Sequence, residues 1–413
     1  MNLWTISLFD PTPYDGVELR YAQIARQAVK HNHSLIHFTS TFRHTKKEHR
    51  FTKDTEIDVD EGYTVAYLHS KSYKKNISFE RLFAHKDFAK VLLNNLKKRD
   101  FPDTILISMP PLSSAKLITE WASKNKIPVI VDIIDPWPDS FIKDVPPRLR
   151  SASKIFILPF YVKLQNILSN CSALISISNA YLEWALEHTT KEIESSCFYP
   201  ALNLENVQKK ISAAKSKTER DENCLRIIYA GSFGSSYDIP TILEAAAILD
   251  KKHPGRTKFV IAGTGPQSIL IEKKTGELTN LKYIGWVNEE ELMKQYYLSD
   301  LGLIQHKDNL TQTVTYKLFS YLSAGLPILN SLQSEMVDII NEYEVGLNNM
   351  NGDAKALVEN IETFLSDPGM LKEYKRNAIM LTKLKGDSAQ VYSDLLIFVE
   401  RIAEKNKVDF KAL

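Results

Sequence analysis

Residues 311–331 read TQTVTYKLFSYLSAGLPILNS, and they contain a helix start, a short helix, a stop and a buried strand. Thr313 and Thr315 can each cap the helix, because a hydroxyl at that position accepts from a free backbone N–H group. Gly325 is predicted to adopt the left-handed conformation after the helix, and Pro327 prevents the helix from continuing. Apolar residues then resume as a short buried strand. A helix that leads directly into a buried strand is the repeating unit of an α/β fold.

Two polar residues of this helix, Lys317 and Ser320, are three positions apart and therefore share one face. They place a cation and a hydroxyl beside a helix N-terminus, where unpaired N–H groups and the positive end of the dipole favour an anion. One interpretation is an anion-binding site. The other is a buried helix that exposes a single lysine, and local features favour both equally.

A pattern of strand, glycine loop and helix occurs twice in the chain. Residues 3–8 form an apolar run that is followed by Gly16 and an amphipathic helix. Residues 225–230 form a second apolar run that is followed by Gly231, Ser232 and another helix. Two such units predict two doubly wound α/β domains of the nucleotide-binding type. Residues 204–224 are charged and lack an apolar pattern, which makes them the best candidate for a linker.

Length and composition exclude several classes of protein. A chain of 413 residues is too long for one ordinary core, and 44% hydrophobic with 25% charged residues is typical of a soluble globular protein. A net charge of +2 provides no overall field for binding nucleic acid. An odd count of 3 cysteines indicates a reducing compartment and argues against a zinc site. The N-terminus lacks the basic region of a signal peptide, so a cytoplasmic location is expected.

Two acidic residues follow the buried strand PVIVD at residues 128–132. In open α/β sheets, ligands bind beyond the carboxyl ends of the strands, so Asp132 and Asp135 lie where a reaction centre is expected. For Asp132, a helix cap or a structural hydrogen bond to a loop is the favoured interpretation. For Asp135, a structural and a catalytic role stay equally open.

Two basic segments each allow two interpretations. Residues 44–50, HTKKEHR, are interpreted as a solvated loop, with a basic rim near an anionic acceptor as the alternative. Residues 148–168 mix basic and apolar side chains, and Pro159 is expected to interrupt them. Such a mixture lies on an anionic membrane surface in some proteins, and a buried connecting helix explains the apolar residues equally well.

The opening stretch resembles the second half of the signature of family-four glycosyltransferases, the retaining GT-B class. That signature has a Lys-Leu-Phe-Glu-Tyr-like helix followed by Ala-Gly-Leu-Pro, and residues 317–327 read KLFSYLSAGLP. The resemblance covers most of the chain and is best from 225 to 350. Further segments that carry it are IAGTGP at 261–266, GWV at 285–287, DLGL at 300–303 and DIIDPWP at 132–138.

The resemblance implies a GT-B fold, in which two facing Rossmann-like doubly wound domains enclose a cleft. It implies an acceptor-side domain over residues 1–200, completed by a crossover helix at about 388–413, and a nucleotide-sugar-binding domain over residues 201–387. The implied activity is hexosyl transfer, with retention, from a nucleotide sugar to a saccharide or lipid-linked acceptor in surface polysaccharide biosynthesis. The enzyme is expected in the cytoplasm, with peripheral contact at the inner membrane surface as one option. No Asp-x-Asp metal signature stands at a suitable strand end, so neither a metal nor another cofactor is expected.

The resemblance also implies the site residues. Lys317 and Asp135 are the predicted catalytic residues. The predicted donor-binding residues are Gly16, Gly231, Ser232, Gly263, Val287, Gln312, Lys317, Ser320 and Glu335.

The sequence departs from the family pattern at the donor site. The family has two glutamates eight positions apart, and this chain has Gln312 and Ser320 there. Many members also have an arginine and a lysine in the loop at residues 231–237, which here contains neither, so Lys317 is expected to compensate. Glu335 either replaces the missing ribose contact or is a first-turn acid stabilised by the helix dipole.

Two alternatives to an active transferase stay open. One is a catalytically silent GT-B scaffold that binds a partner glycosyltransferase. The other is a sugar-nucleotide epimerase of the same fold, which needs several acids and histidines at the cleft. Only Asp132, Asp135 and His306 are evident for that chemistry, so the epimerase ranks last.

Overall fold

The chain divides into two compact units in a computed structural model that describes residues 1–143, 150–216, 223–307 and 312–409. Unit 1 comprises Met1–Tyr199 together with Ser388–Leu413, and unit 2 comprises Pro200–Asp387. The boundary between them lies one residue before the predicted boundary.

The described residues alternate between strands and helices along most of the chain. The strands are β1 Asn2–Ile6, β2 Ser34–Ser40, β3 Phe42–Arg43, β4 Glu48–His49, β5 Thr55–Asp60, β6 Tyr63–Leu68, β7 Thr104–Met109, β8 Val129–Ile133, β9 Ala173–Ser176, β10 Glu194–Cys197, β11 Leu225–Ala230, β12 Thr257–Ala262, β13 Leu281–Gly285, β14 Leu301–Ile304, β15 Ile328–Asn330 and β16 Gly346–Asn348. The helices are α1 Arg20–Lys30, α2 Phe79–Leu96, α3 Leu112–Lys124, α4 Asp139–Lys143, α5 Arg150–Asn170, α6 Asn179–Glu187, α7 Leu204–Lys215, α8 Ile239–Lys252, α9 Ser268–Thr275, α10 Glu289–Leu298, α11 Tyr316–Leu322, α12 Glu335–Glu342, α13 Ala354–Ser366, α14 Pro368–Lys385 and α15 Ser388–Asp409.

Unit 1 is built on one sheet of eight strands in the order β10-β9-β8-β7-β1-β2-β6-β5. All neighbours in this sheet are parallel except β5, which is antiparallel to β6. The central strands β7 and β8 are buried along their whole length and are mostly apolar, as expected when helices cover both faces of a parallel sheet. The last helix, α15, packs on α1 within this unit.

Unit 2 is built on one parallel sheet of six strands in the order β13-β12-β11-β14-β15-β16. Two of its helices begin at polar residues whose side chains cap them. Asp238 caps α8 by accepting from the Thr241 amide, and Asn288 caps α10 by accepting from the Glu291 amide. Both units are doubly wound α/β domains, which confirms the predicted fold class.

The stretch that decides the fold adopts the predicted order of elements. Gly325 has a φ of 72°, and β15 follows it as a buried strand. Thr315 is the N-cap residue of α11, but its hydroxyl makes no capping bond and is buried without a partner. The predicted side-chain cap at this residue is therefore wrong. Thr311 lies outside the described residues.

The predicted linker at residues 204–224 is wrong for the part that the structure describes. Residues 204–215 form α7, which is capped by the side chain of Asn203 and packs against α10. One buried residue, Leu204, anchors the start of this helix. A helix with so few buried residues leaves little apolar periodicity in the sequence. Residues 217–222 lie outside the described residues.

Each basic segment of unit 1 differs in one respect from the sequence interpretation. Residues 42–49 contain the β3–β4 hairpin, and the Arg50 side chain is only 6% exposed where it donates to Asp15 at 2.6 Å. The prediction of a solvated loop therefore holds for the exposed turn at Thr45 and Lys46, but it is wrong for the strand β4 and for Arg50. Pro159 lies inside the continuous helix α5, whose Leu164 is buried, and this packing favours the interpretation as a connecting helix. Residues 144–149 lie outside the described residues.

Within the described ranges, no helix combines the length and apolar character needed to cross a membrane.

Candidate donor and acceptor sites

A groove in unit 2 lies where β11, β12 and β13 end. Its volume is about 340 Å³, and its lining includes Gly231, Ser232, Gly263 and Val287. The structure thus brings together four of the predicted donor-binding residues, at the edge of a parallel sheet where ligands bind. Trp286, whose side chain is 73% exposed, also lines this groove.

Two glycines let the loops after β11 and β12 pack backbone against backbone. Gly231 and Gly263 have φ values of 146° and 132°. A Cβ on Gly263 would lie 1.8 Å from the carbonyl oxygen of Gly231, so no side chain fits there. The Gly263 amide donates to the Gly285 carbonyl at 2.7 Å, which ties the loop to the end of β13. The floor of the groove therefore depends on glycine at residue 263.

Gly263→Ala is expected to lower the stability of unit 2 and to weaken nucleotide binding. The added Cβ must push the loops apart, and overpacking of this kind costs about 1–3 kcal/mol. Gly255→Ala is the matched control, because Gly255 also has a positive φ, of 76°, but nothing lies within 4 Å of its Cβ position. Denaturant unfolding and nucleotide titration of both variants test this expectation. Equal losses of stability in the two variants would contradict it.

Lys317, at the start of α11, reaches the first glycine loop. Its Nζ donates to Tyr229 Oη at 3.0 Å and lies 4.1 Å from the ring centroids of both Tyr229 and Tyr237. A Cβ on Gly231 would lie 2.9 Å from this Nζ, so the lysine touches a residue of the groove. The loop that lacks its own basic residue thus receives one from α11.

The ammonium group of Lys317 lies in a largely dehydrated environment. Burial lowers the pKa of Lys317 to about 7. Among the described residues no carboxylate pairs with its Nζ, whose partners are a phenol and two aromatic rings. A buried cation without a counter-ion is costly, and an anionic ligand would remove that cost.

His306 extends this cluster without adding charge to it. Its ring packs against Tyr237 with centroids 4.8 Å apart, and both ring nitrogens are buried without a partner. Burial, and next the charge of Lys317, lower the pKa of His306 to about 3. The imidazole is therefore neutral at physiological pH. Sequence reasoning noted His306 only for the epimerase alternative, because its proximity to Lys317 depends on the packing of Tyr237.

The remaining predicted donor residues lie near α11 and α12. Ser320 Oγ donates to the Tyr316 carbonyl at 2.9 Å, so the hydroxyl is bonded to its own helix. Glu335 is the first residue of α12, as predicted. Ser334 Oγ donates to the carbonyl of Thr313 at 2.8 Å. Because Thr313 follows Gln312 in the chain, this bond holds the start of α12 close to Gln312. Residues 308–311, which precede Gln312, lie outside the described residues.

Two predicted residues of unit 1 have clear local roles. Gly16 ends a short 3-10 helix with a φ of 75°, and its Cβ position faces open space. The turn conformation, rather than close packing, therefore requires this glycine. Asp132 lies within β8 and accepts from the Arg20 guanidinium at 2.7 and 3.0 Å. Asp132 thus has a structural partner, but that partner is a side chain of helix α1 rather than a loop or a helix end, so the predicted form of the contact is wrong.

Asp135 lies beyond the end of β8, and both of its carboxylate oxygens accept hydrogen bonds. Oδ2 accepts from Trp137 Nε1 at 3.0 Å, and Oδ1 accepts from Ser140 Oγ at 2.5 Å. These bonds hold the carboxylate in one orientation.

Sequence reasoning missed a cluster of basic and aromatic side chains at the same edge of unit 1. The Arg81 guanidinium lies 5.4 Å from the Phe9 ring, 5.9 Å from Tyr73 and 5.2 Å from Trp137. His85 is buried among these rings, and its Nε2 has no partner. The four elements that supply these residues are distant in sequence, so no local pattern indicates the cluster. The three rings hold the Arg81 guanidinium by cation–π attraction at this edge of the sheet.

Comparison with known proteins identifies the family of one region. Residues 210–380 match the family described as glycosyl transferases group 1, and this range contains the groove and Lys317. Unit 2 is thus similar, over most of its length, to glycosyl transferases group 1. No curated protein matches the chain.

Several solved structures are similar to this chain over almost its full length. Sucrose-phosphate synthase from Thermosynechococcus elongatus has a TM-score of 0.71 at 14% identity and covers 97% of this chain and 98% of its own. HepE from Anabaena, in complex with UDP, has a TM-score of 0.67 at 10% identity, with coverages of 97% and 99%. WaaG, a glycosyltransferase involved in lipopolysaccharide biosynthesis, has a TM-score of 0.64 at 13% identity, with coverages of 96% and 98%. At these identities the similarity establishes the fold, and the predicted GT-B class is confirmed.

Proposed function

We propose that this protein is a glycosyltransferase that moves a hexosyl group from a nucleotide sugar to a saccharide or lipid-linked acceptor with retention. We further propose that it acts in surface polysaccharide biosynthesis in the cytoplasm. The observation that carries the proposal is Lys317, a half-buried cation without a carboxylate partner among the described residues, which touches the glycine loop of the groove. The similarity to HepE, which is solved with UDP, makes UDP-sugars the first donors to test.

Lys317 has a direct electrostatic role in the proposed reaction. The bond between the anomeric carbon and the diphosphate oxygen breaks, and a new bond forms between that carbon and the acceptor oxygen. The leaving diphosphate gains negative charge as the first bond breaks. A preorganised cation in a dry site stabilises this charge without the cost of reorganising water. Ser232 and the glycine backbone of the groove would hold the diphosphate beside Lys317.

Asp135 is proposed to act on the acceptor side. Its carboxylate, oriented by Trp137 and Ser140, would accept a hydrogen bond from the attacking hydroxyl and take up its proton as the new bond to the anomeric carbon forms. Arg81 and the rings around it would hold the acceptor, and a positive guanidinium there favours an acceptor that carries a phosphate or carboxylate. We propose that no metal is required, because Lys317 supplies the positive charge at the diphosphate.

Thermal unfolding with UDP, GDP, ADP and their sugar conjugates tests the proposed function. A ligand at 100 times its dissociation constant adds about 2.7 kcal/mol to the free energy of unfolding. We expect stabilisation by one nucleotide and its sugar conjugates, followed by turnover of that conjugate. Trp286 lines the groove, so its fluorescence provides a second readout of binding, and Trp286→Phe is the control for that signal.

A silent scaffold is the second candidate function, and one observation favours it. The family glutamate that holds the donor ribose is replaced by Ser320, whose hydroxyl is bonded to its own helix. A lost hydrogen bond to a charged group costs about 1.5–3 kcal/mol of binding. Absence of stabilisation by every nucleotide would favour the scaffold and exclude the transferase.

Affinity for a nucleotide sugar is expected to fall as pH rises above 7. Because burial lowers the pKa of Lys317 to about 7, the lysine is mostly charged below this pH and loses its proton above it. A diphosphate binds the charged form, so affinity should fall about tenfold for each pH unit above the pKa of the free protein. The groups that face Lys317 do not titrate nearby, since burial raises the pKa of Tyr229 and lowers that of His306 to about 3.

Lys317→Arg is the control for this pH dependence. A guanidinium stays charged at all accessible pH values, so titration of the variant with a nucleotide sugar should give a nearly constant affinity. A steep fall in affinity that survives in this variant would assign the pH dependence to another group.

A further inference from the structure

We propose that unit 1 contains a binding site for a divalent transition-metal ion, formed by His31, His33 and Glu400. Each residue offers one ligand atom, and the three atoms lie within 4.8 Å of one another. Two imidazoles and one carboxylate are the protein ligands of several zinc and non-haem iron sites. The proposed transfer reaction requires no metal, so this site has a separate purpose.

The two histidines are brought together by the turn that joins α1 to β2. His31 is the C-cap residue of α1, and Asn32 after it has a φ of 58°. The His33 amide donates to the Ala28 carbonyl at 2.9 Å, which folds the turn back on the helix. The centroids of the two imidazole rings are 6.2 Å apart. The backbone therefore holds both rings at the start of β2.

The carboxylate comes from α15, which packs on α1. Glu400 Oε1 lies 2.5 Å from His33 Nε2. Ser393 is seven positions earlier on the same face of α15, and its Oγ lies 2.9 Å from His31 Nε2. Each histidine of the turn thus contacts one polar side chain of α15. Since His33 and Glu400 are 367 positions apart, no local sequence pattern indicates this cluster.

The ring nitrogens and the carboxylate have the capacity to bind a metal. Nδ1 of His33 contacts the amino group of Met1 at 3.4 Å, so Nε2 is the ligand atom of this ring. A neutral imidazole can donate with one nitrogen and bind a metal with the other, so Ser393 can orient His31 as an outer partner. Among the described residues, no lysine or arginine pairs with Glu400, whose side chain is 35% exposed. Its negative charge is therefore available to a cation.

The ligand types and their separations favour Zn²⁺. In tetrahedral coordination, ligand atoms about 2.0–2.2 Å from Zn²⁺ are roughly 3.3 Å apart. His33 Nε2 and Glu400 Oε1 must therefore move apart from 2.5 Å to roughly this distance, which rotation of a partly exposed carboxylate allows. Imidazole nitrogen suits zinc, copper, nickel and iron, whereas Mg²⁺ and Ca²⁺ prefer oxygen ligands.

The position of the cluster favours a structural role for the ion. His33 directly precedes β2, so the cluster lies at the amino ends of the parallel strands. Ligands of open α/β sheets bind at the opposite edge, where Asp135 follows β8. An ion held by both the turn after α1 and by α15 would strengthen the packing of α15 on α1.

Isothermal titration calorimetry of the chelator-treated protein with Zn²⁺ tests this inference. The titration is done at pH 8, because metal ligands must be deprotonated. We expect one equivalent of Zn²⁺ to bind with a dissociation constant of about 1 μM or lower. His31→Gln, His33→Gln and Glu400→Gln should each weaken binding about 100-fold, at least as much as the loss of an outer partner of a metal ligand. Mg²⁺ in excess should not compete.

Co²⁺ binding and thermal unfolding provide two further readouts. Co²⁺ in place of Zn²⁺ reports tetrahedral coordination by its visible absorption, and a thiolate ligand would add a charge-transfer band in the near ultraviolet. We expect no such band, since the proposed ligands are nitrogen and oxygen. Zn²⁺ should raise the melting temperature of the wild type but not that of His31→Gln. Because His31 is half-buried at a helix end, this variant carries the test if His33→Gln does not fold.

A matched control pair lies in unit 2. His253 Nε2 lies 2.6 Å from Glu362 Oε1, a contact like that of His33 with Glu400. Here, however, Lys252 also pairs with Glu362, and the described residues add no third metal ligand. His253→Gln combined with Glu362→Gln should therefore change the affinity for Zn²⁺ less than about twofold.

Three results would overturn the inference. They are wild-type protein that binds Zn²⁺ no more tightly than His31→Gln does, Zn²⁺ binding that survives in all three ligand variants, and a thiolate band in the Co²⁺ spectrum. The titrations contain no nucleotide, so their result is independent of the proposed function. Nucleotide stabilisation of a protein that does not bind Zn²⁺ would reject the metal site alone.

Discussion

Replacement of Lys317 by methionine is expected to lower turnover about 10²–10³-fold while the fold persists, as removal of one preorganised donor does in other enzymes. Nζ donates to Tyr229 and touches Gly231, so the variant loses the only basic side chain that the described residues place at this loop. Methionine fills a similar volume between the two tyrosine rings. The loss should therefore appear in turnover and nucleotide affinity rather than in folding.

Stability separates this role from a structural one. In the free protein below the lowered pKa, Lys317 is charged while it is buried, and the folded state bears a desolvation cost that the unfolded chain does not. Because the unfolded state binds more protons between the two pKa values, this cost is fully present at about pH 6 and declines as pH rises. Lys317→Met is therefore expected to be at least as stable as the wild type at that pH.

Steady-state kinetics and denaturant unfolding of the same variant check both expectations. Lys282→Met is the control, since Lys282 is an exposed lysine on β13 of the same unit. Wild-type turnover in the Lys317 variant would remove this residue from the mechanism. A large loss of stability would instead make Lys317 a structural residue.

Asp132→Asn is expected to lower the free energy of unfolding by about 3–5 kcal/mol, because it leaves a buried guanidinium without its partner. Arg20 and Asp132 are 1% and 0% exposed and form two hydrogen bonds with each other. Tyr21 Oη also donates to Asp132 at 3.1 Å, and Arg20 Nη1 donates to the Phe198 carbonyl at 2.8 Å. The pair therefore connects α1, β8 and the end of β10.

Tryptophan fluorescence is a suitable readout for this variant. Four of the five tryptophans, Trp4, Trp121, Trp137 and Trp184, belong to unit 1, and Trp286→Phe removes the signal of unit 2. The control is Arg26→Met, which breaks a pair of residues that are 34% and 35% exposed. Exposed pairs contribute about 0–1 kcal/mol, so this control should change stability little.

A double-mutant cycle identifies the cause of the loss. Arg20→Met removes the other partner and should also destabilise unit 1. The double variant with Asp132→Asn should be more stable than the sum of the two single losses predicts. Each single variant leaves one buried charge unpaired, whereas the double variant contains neither charge. Additive losses would show that the ion pair is not the cause.

Local patterns were sufficient where neighbours in sequence decide the structure. Asp238 and Asn288 cap their helices because the cap and the amide it accepts from are three residues apart. Gly325 follows α11 in the left-handed conformation, which glycine adopts readily because it has no Cβ. The same kind of reasoning failed for α7, which buries only Leu204 and so shows little apolar periodicity, and for Pro159, which the surrounding helix accommodates.

The sequence by itself determined the two α/β units, the order of their strands and helices, and the position of the glycine loops at strand ends. These features follow from apolar periodicity and from residues with special backbone preferences, both of which are local. Only the tertiary structure decided what the polar residues do. It paired Asp132 with Arg20, placed Lys317 on Gly231 between two tyrosines, and gathered Arg81 with rings from distant elements. Charge, burial and counter-ions depend on residues that meet only after folding, so their roles cannot be read from spacing alone.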